Sequence, residues 1–238
     1  MVNYKKPVYL LAGGRPRSRK TFDPLIQAVF KENGTASPTI AYMGMANNDD
    51  EAFFNYIADI LREIGASKVE HASVSSEKAD LEKAQDILKS AEIVFISGGD
   101  VDRGMRVLQE KNMIDSLSRL YSQGKLFCGL SAGGIMLSKE WVRWGDPNDD
   151  STAELFPCLG FAPIICDMHG EQDDWEELKV VLKLEKANVK GYGIVSGAAL
   201  KVFPNGKIEA LGGAIHQYIR HGERVERNSD ILPANGKY

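Results

Sequence analysis

A serine set between glycines is the first candidate for chemistry. Gly129-Leu130-Ser131-Ala132-Gly133 follows the apolar run Leu126–Leu130 and precedes a segment that can be helical. A serine hydroxyl is a weak nucleophile until a neighbouring base activates it. A sharp strand-to-helix turn lifts the hydroxyl out of the C-terminal edge of a sheet. It also aims free backbone N–H groups at any oxyanion that forms. Backbone then passes so close to the serine that only small residues fit beside it, and Gly129, Ala132 and Gly133 meet that demand. Taken alone the pattern is weak, because any glycine-rich turn satisfies it. A second strand end of the same kind, Ile96-Ser97-Gly98-Gly99-Asp100, adds weight. In a doubly wound sheet the strand C-termini face one crevice. There a glycine N–H of that strand end would join that of Ala132 as a two-donor oxyanion hole. The serine also needs a base, and the chain has four histidines: His71, His169, His216 and His221. His169 follows the apolar run 163–166. His216 lies near the last strands, where the base of an α/β-hydrolase is found. The residues alone leave both open.

A crevice of this kind needs parallel strands joined by helices. Short apolar runs at 8–12, 39–46, 69–74, 93–97 and 126–130 read as strands. Residues 22–32, 50–64, 78–89 and 102–124 have helical spacing, the last as one helix or as two split near Lys111-Asn112. Phe53, Ile57, Ile60, Leu61 and Ile64 recur at helical spacing, and Gly65 ends that helix. The alternation predicts an α/β fold, a mostly parallel sheet with helices on both faces. After Ser138 the pattern changes. Residues 141–157 are polar and rich in aspartate, and read as a loop or excursion. Residues 176–186 form an amphipathic helix. Residues 191–219 alternate around Pro204-Asn205-Gly206, which predicts a C-terminal antiparallel hairpin. The tail from Asn228 reads as loose. With no repeat and no low-complexity linker, residues 1–238 read as one domain.

At its glycine-rich strand ends the sequence resembles the dipeptidase E and cyanophycinase family of serine peptidases. The likeness runs from Leu10-Leu11-Ala12-Gly13-Gly14 to Leu211-Gly212-Gly213. It is most specific at Phe95-Ile96-Ser97-Gly98-Gly99-Asp100, at the Ser131 turn and at Asp167-Met168-His169. The resemblance implies a glutamine amidotransferase-like fold and a Ser-His-Asp peptidase that needs no metal or cofactor. Ser131 would be the nucleophile, His169 the general base, and Gly99 and Ala132 the oxyanion donors. The acid would lie 15 residues after the serine, at Asp146, as in dipeptidase E-like members, or near Asp149 and Asp150, as in cyanophycinase-like ones. Asp146 is the reading adopted. Two features depart from the family. Where a late strand often carries Gly-Ile-Asp-Glu, whose acid would serve the substrate site, this chain has Gly193-Ile194-Val195-Ser196. Where dipeptidase E-like members carry arginines after the histidine, this chain has Glu171, Asp173, Asp174, Glu176 and Glu177. Neutral or basic substrates are therefore expected to outperform acidic ones.

Composition sets the remaining bounds. The chain is 43% hydrophobic and 26% charged, close to ordinary globular usage. Its net charge is −4, and no basic block points to nucleic acid or an anionic membrane. The first residues lack the apolar core of a signal peptide, and no run approaches the ~20 residues of a membrane span. Three cysteines, an odd number, favour free thiols in a reducing compartment, so a cytoplasmic location is expected. Cys166 and His169 have ligand-like spacing with Cys158 nearby. A zinc site usually needs four ligands, and no clear fourth follows. Asp100, Asp167 and Arg15 are the expected substrate contacts. Arg17, Arg19 and Lys20 share the loop with Arg15, and Trp141 and Trp144 flank the crevice in sequence. The expected partner is a short peptide or peptide-like amide, and the expected assembly a monomer or homodimer. An esterase with the same triad and an amidotransferase-like binding module without turnover remain as other readings.

Overall fold

Successive side chains of a strand point to opposite faces of its sheet. In the first strand, β1 (Val8–Leu11), all four residues are buried. Val8 and Leu10 join one core, and Tyr9 and Leu11 join another. A strand buried on both faces belongs in the middle of a layered sheet. The computed structural model describes residues 5–13, 19–146, 148–186, 188–222 and 224–234, without the side chains of 19–21 and Asp150. Helix α1 (Arg19–Asn33) follows, then β2 (Thr39–Met43), α2 (Glu51–Ile64), β3 (Lys68–His71), α3 (Leu81–Ser90) and β4 (Ile93–Ile96). Next come α4 (Val101–Glu110), α5 (Ile114–Ser122), β5 (Leu126–Leu130) and the short α6 (Ala132–Leu137). Asn112, in a left-handed conformation, separates α4 from α5 at the expected split. Helices α1 and α2 cover the Tyr9 and Leu11 face, while α3, α4, α5 and α6 pack on the other.

The remaining elements are β6 (Glu140–Trp144), β7 (Ala153–Pro157), β8 (Ile165–Met168), α7 (Glu176–Leu184), β9 (Lys190–Ile194), β10 (Ala199–Val202), β11 (Ile208–Leu211), β12 (Ile215–His221) and β13 (Arg224–Arg227). The main sheet has the order β11-β10-β1-β5-β4-β2-β3. Its β1, β5, β4, β2 and β3 pair in parallel, and β10 and β11 add the expected antiparallel hairpin. Two expectations change. Residues 141–157 form a two-stranded ribbon, with Trp141 opposite Phe156. Trp141 and Phe156 are buried on one side of it and Val142 on the other, while the aspartates are confined to its turn. The late strands also divide. β12 and β9 leave the hairpin and join β8 and β13 in a second sheet, ordered β13-β12-β9-β8. Among the described residues no helix is long and apolar enough to cross a membrane.

One buried carboxylate ties the β2–α2 connection to the segment after β3. Asp49 accepts hydrogen bonds from the N–H groups of Gly44 (3.0 Å), Val74 (2.7 Å) and Ser75 (2.7 Å), and meets His71 Nε2 at 3.2 Å. Burial alone would raise its pKa. The bonds from His71, Ser75 and Val74 outweigh burial and hold it well below the usual carboxylate range. A folded-state pKa below the unfolded one stabilises the fold above the unfolded value of about 4, and the gain is lost as pH falls through the folded value. Asp49 has φ 56°, a conformation asparagine also tolerates. We therefore expect Asp49→Asn to cost about 2–3 kcal/mol at pH 7 through lost charge-assisted bonds. The cost should shrink towards pH 3, as read by urea unfolding at both pH values. Equal stability of the two proteins at pH 7 would show that the carboxylate does not carry this clamp.

Candidate active site

Ser131 stands where β5, the strand between β1 and β4, turns into α6. Its backbone, at φ 51° and ψ −124°, lies in a region that L-residues rarely occupy. Its N–H donates to the Leu11 carbonyl at 2.8 Å, which fastens the turn to β1. Its carbonyl accepts from Gly134 N–H at 2.8 Å as the helix begins. A Cβ on Gly133 would lie 2.2 Å from the Ile96 carbonyl oxygen, and one on Gly129 would lie 2.3 Å from that of Gly133. These obstacles are backbone, so they cannot rotate away. The glycines thus let β4, β5 and α6 close around the serine. Ala132, the first helical residue, has an N–H that precedes any intrahelical bond.

The end of β4 reaches the same point. Gly99 has φ 148°, and a Cβ there would fall 2.2 Å from the Ala46 carbonyl oxygen. The next amide, Asp100 N–H, donates to that carbonyl at 2.8 Å. Gly98 passes so near Ser131 that its Cβ would stand 3.2 Å from the serine Cβ. The glycine pair therefore lies against the nucleophile candidate, while the Asp100 carboxylate caps α4 through Arg103 N–H at 2.7 Å.

His169 follows β8 with φ 67°. Its Nδ1 meets Ser196 Oγ at 2.9 Å, just past the end of β9. Ser196 N–H in turn donates to the Glu171 carboxylate. Trp175, fully buried, pins the intervening loop. Its N–H donates to the Gly170 carbonyl at 2.8 Å, and its ring packs where Gly193 on β9 has no side chain. Burial lowers the His169 pKa from its ordinary value, and the Glu171 charge works against that shift. The imidazole is therefore neutral, and able to accept a proton, across neutral pH.

Ser131 borders two cavities. The larger, about 750 Å³, also contains His169, Gly98 and Gly99, and is walled by apolar side chains from α1 and α2. The smaller, about 390 Å³, holds Ala132, Trp141 and Trp144 together with Asp100, Asp167 and Glu177. Asp167 is only 6% exposed, and burial pushes its carboxyl up to about 7. Burial, then Asp173, Glu176 and Asp100, raise Glu177 as well.

Ser131, His169, Gly99, Ala132, Asp100 and Asp167 thus converge on one region. Asp146 is placed differently from the expectation. It sits exposed in the β6–β7 turn, where its carboxylate accepts from Asn148 N–H at 2.9 Å. Asp149 likewise caps Ser151. The imidazole nitrogen that Asp146 was expected to hold is bonded to Ser196. Sequence reasoning missed Ser196 and Glu171 in this role. The signal was the Gly193–Ser196 departure, read there as a loss at the substrate site when its last residue touches the histidine. Arg15 and Arg17 lie outside the described residues, as do the side chains of Arg19 and Lys20. His216 pairs with Asp230 at 3.0 Å on β12. Cys128, Cys158 and Cys166 are free thiols whose pKa values burial raises.

Comparison with known proteins bears on the family and the fold. The model of peptidase family S51 matches residues 8–209. A crystal structure of a peptidase from an acI-B1 Actinobacterium superposes with a TM-score of 0.70 at 15% identity, covering 96% of this chain and 97% of that one. A protein described as a peptidase E of Listeria monocytogenes EGD-e gives 0.64 at 15% identity, covering 87% and 98%. At such identity the likeness establishes the fold. No curated protein matches the sequence. With a family match over most of its length and the same fold as these peptidases, the chain belongs to peptidase family S51, the dipeptidase E family of serine-type peptidases.

Proposed function

We propose that the chain hydrolyses short peptides or peptide-like amides, with Ser131 as nucleophile and His169 as general base. The observation that carries this reading is the shared cleft of the two side chains, with His169 Nδ1 already engaged by Ser196. Nδ1–H donates to Ser196 Oγ, which leaves Nε2 to take the Ser131 proton. Ser131 Oγ then bonds to the scissile carbonyl carbon, and the C=O π pair moves onto oxygen. The oxyanion rests on the Gly99 and Ala132 N–H groups. As the tetrahedral adduct collapses, the C–N bond breaks and His169 returns its proton to the leaving amine. Water repeats the sequence on the acyl-enzyme. A neutral serine at Nδ1 stabilises the imidazolium less than a carboxylate would, and the Glu171 charge behind it supplies part of the difference. The proposed compartment is the cytoplasm, supported by three free thiols.

The test compares two variants on the best substrate found in a dipeptide screen. Ser196→Ala should lower kcat/KM about 30-fold, less than the roughly 100-fold or more that general-base catalysis contributes, because the imidazole itself remains. Asp146→Asn should stay within about threefold of wild type, since its contacts are in its own turn. A larger loss from Asp146→Asn than from Ser196→Ala would return the orienting role to Asp146. The pH profile gives a second readout. Because burial depresses the His169 pKa, the acid limb of kcat/KM should fall below the ordinary value of 6.5. Glu171→Gln removes a charge that favours protonation, so it should move the limb to lower pH.

A further inference from the structure

The two cavities that meet at Ser131 differ in chemistry. The larger is walled by Phe22, Phe53, Ile57, Ile60 and Leu130. Phe53, Ile57 and Ile60 recur on one face of α2, at the spacing that brings side chains of successive turns together. Their side chains face the serine while Glu51, Asn55 and Asp59 of the same helix are exposed. Apolar surface held open to water is unfavourable, and a concave apolar wall ending at a nucleophile is the form a ligand pocket takes. Its volume of about 750 Å³ is ample for an aromatic ring. Its polar side chains, beside Ser131 and His169, are Asn47, Tyr56, the exposed Arg103, and Asp50 and Asp100, which already cap helices through Phe53 N–H and Arg103 N–H.

We infer that the larger cavity receives a large apolar side chain, leucyl or aromatic, from a residue flanking the scissile bond, so that the enzyme acts on apolar rather than acidic short peptides. This rests on the reading of Ser131 as nucleophile. A carboxylate placed against Phe53, Ile57 and Ile60, rather than at the exposed Arg103 that also lines the cavity, loses its hydration without gaining a partner. Turned the other way, it enters the smaller cavity beside Asp100, where Asp167 and Glu177 add repulsion once ionised and Arg143 is already paired with Glu154 and Asp102.

Two matched peptide series test the inference on the intact chain, one varying the residue before the scissile bond and one the residue after it, each with Phe, Leu, Ala and Asp. In one series kcat/KM for Phe or Leu should exceed that for Ala by about 30-fold, the range expected for burying such a side chain. Asp should fall below Ala. Ile60→Trp, which narrows the cavity from a half-buried position, should reduce the Phe-to-Ala ratio at least tenfold, with circular dichroism as the fold control. Labelling of Ser131 by a fluorophosphonate, read by peptide mass, reports the nucleophile independently of specificity. Labelling at Ser131 without an apolar preference in either series, or with an aspartyl preference, overturns the inference and leaves the nucleophile standing. Absence of both labelling and hydrolysis overturns the two together.

Discussion

Ser131→Ala is expected to lower kcat/KM by about a thousandfold or more while the protein stays folded. Nucleophile and base act as a unit, so removing one leaves only what binding and the oxyanion donors provide. The fold should tolerate the change for a local reason. Alanine keeps the Cβ that already sits in the turn at φ 51° and adds no atom against Gly98. The backbone bonds from Ser131 N–H to Leu11 and from Gly134 N–H to Ser131 do not involve the hydroxyl. Steady-state kinetics on the best peptide, with urea unfolding of both proteins, separates the two effects. Hydrolysis at the wild-type rate would remove Ser131 from the mechanism. A large loss of stability would show that the hydroxyl holds the turn.

Gly133→Ala is expected to damage both fold and activity, although it adds a single methyl. The new Cβ would sit 2.2 Å from the Ile96 carbonyl oxygen and 2.6 Å from that of Ser97. Both belong to the β4 end, and neither can move without displacing the sheet or α6. Overpacking a core costs about 1–3 kcal/mol, and a backbone obstacle places this variant at the upper end or beyond. Displacing Ser131 by even 1 Å would lower the rate about a hundredfold. Gly145→Ala supplies the control, since the nearest atom to its Cβ is Thr152 Cβ at an ordinary 3.5 Å. That variant should match wild type in melting temperature and rate. If Gly133→Ala also matched wild type, the close packing of β4 on α6 would not constrain the site.

These elements also show what a sequence discloses and what it withholds. Helix α2 was legible at both ends because its signals are local. Asp50 accepts from Phe53 N–H, and Gly65 takes up the helix end. The Ser131 turn was legible because steric crowding restricts residue type within a few positions. The ribbon β6–β7 was not, because its aspartate-rich turn dominates the composition. Nor was the division of the late strands. The alternation of β12 is the same whether it pairs with β9 or extends the β10–β11 hairpin, and only packing in three dimensions decides. Ser196 was hardest to place. Its contact with His169 spans 27 residues, and a serine has no preference that marks it as a histidine's partner.

The site draws on four strand ends that the ribosome delivers at different times. The glycines after β4 come first and Ser131 follows β5. His169 arrives only after β8, and Ser196 after β9. β9 pairs with both β8 and β12, so the loop bearing the base is held only when late-made strands have docked. With the roles proposed for Ser131 and His169, a nascent chain that has exposed its serine would have no oriented base, and a partly made chain would be latent beside other emerging polypeptides. On the proposed roles, hydrolysis would begin only after these long-range pairings close, and such pairings are slow to form.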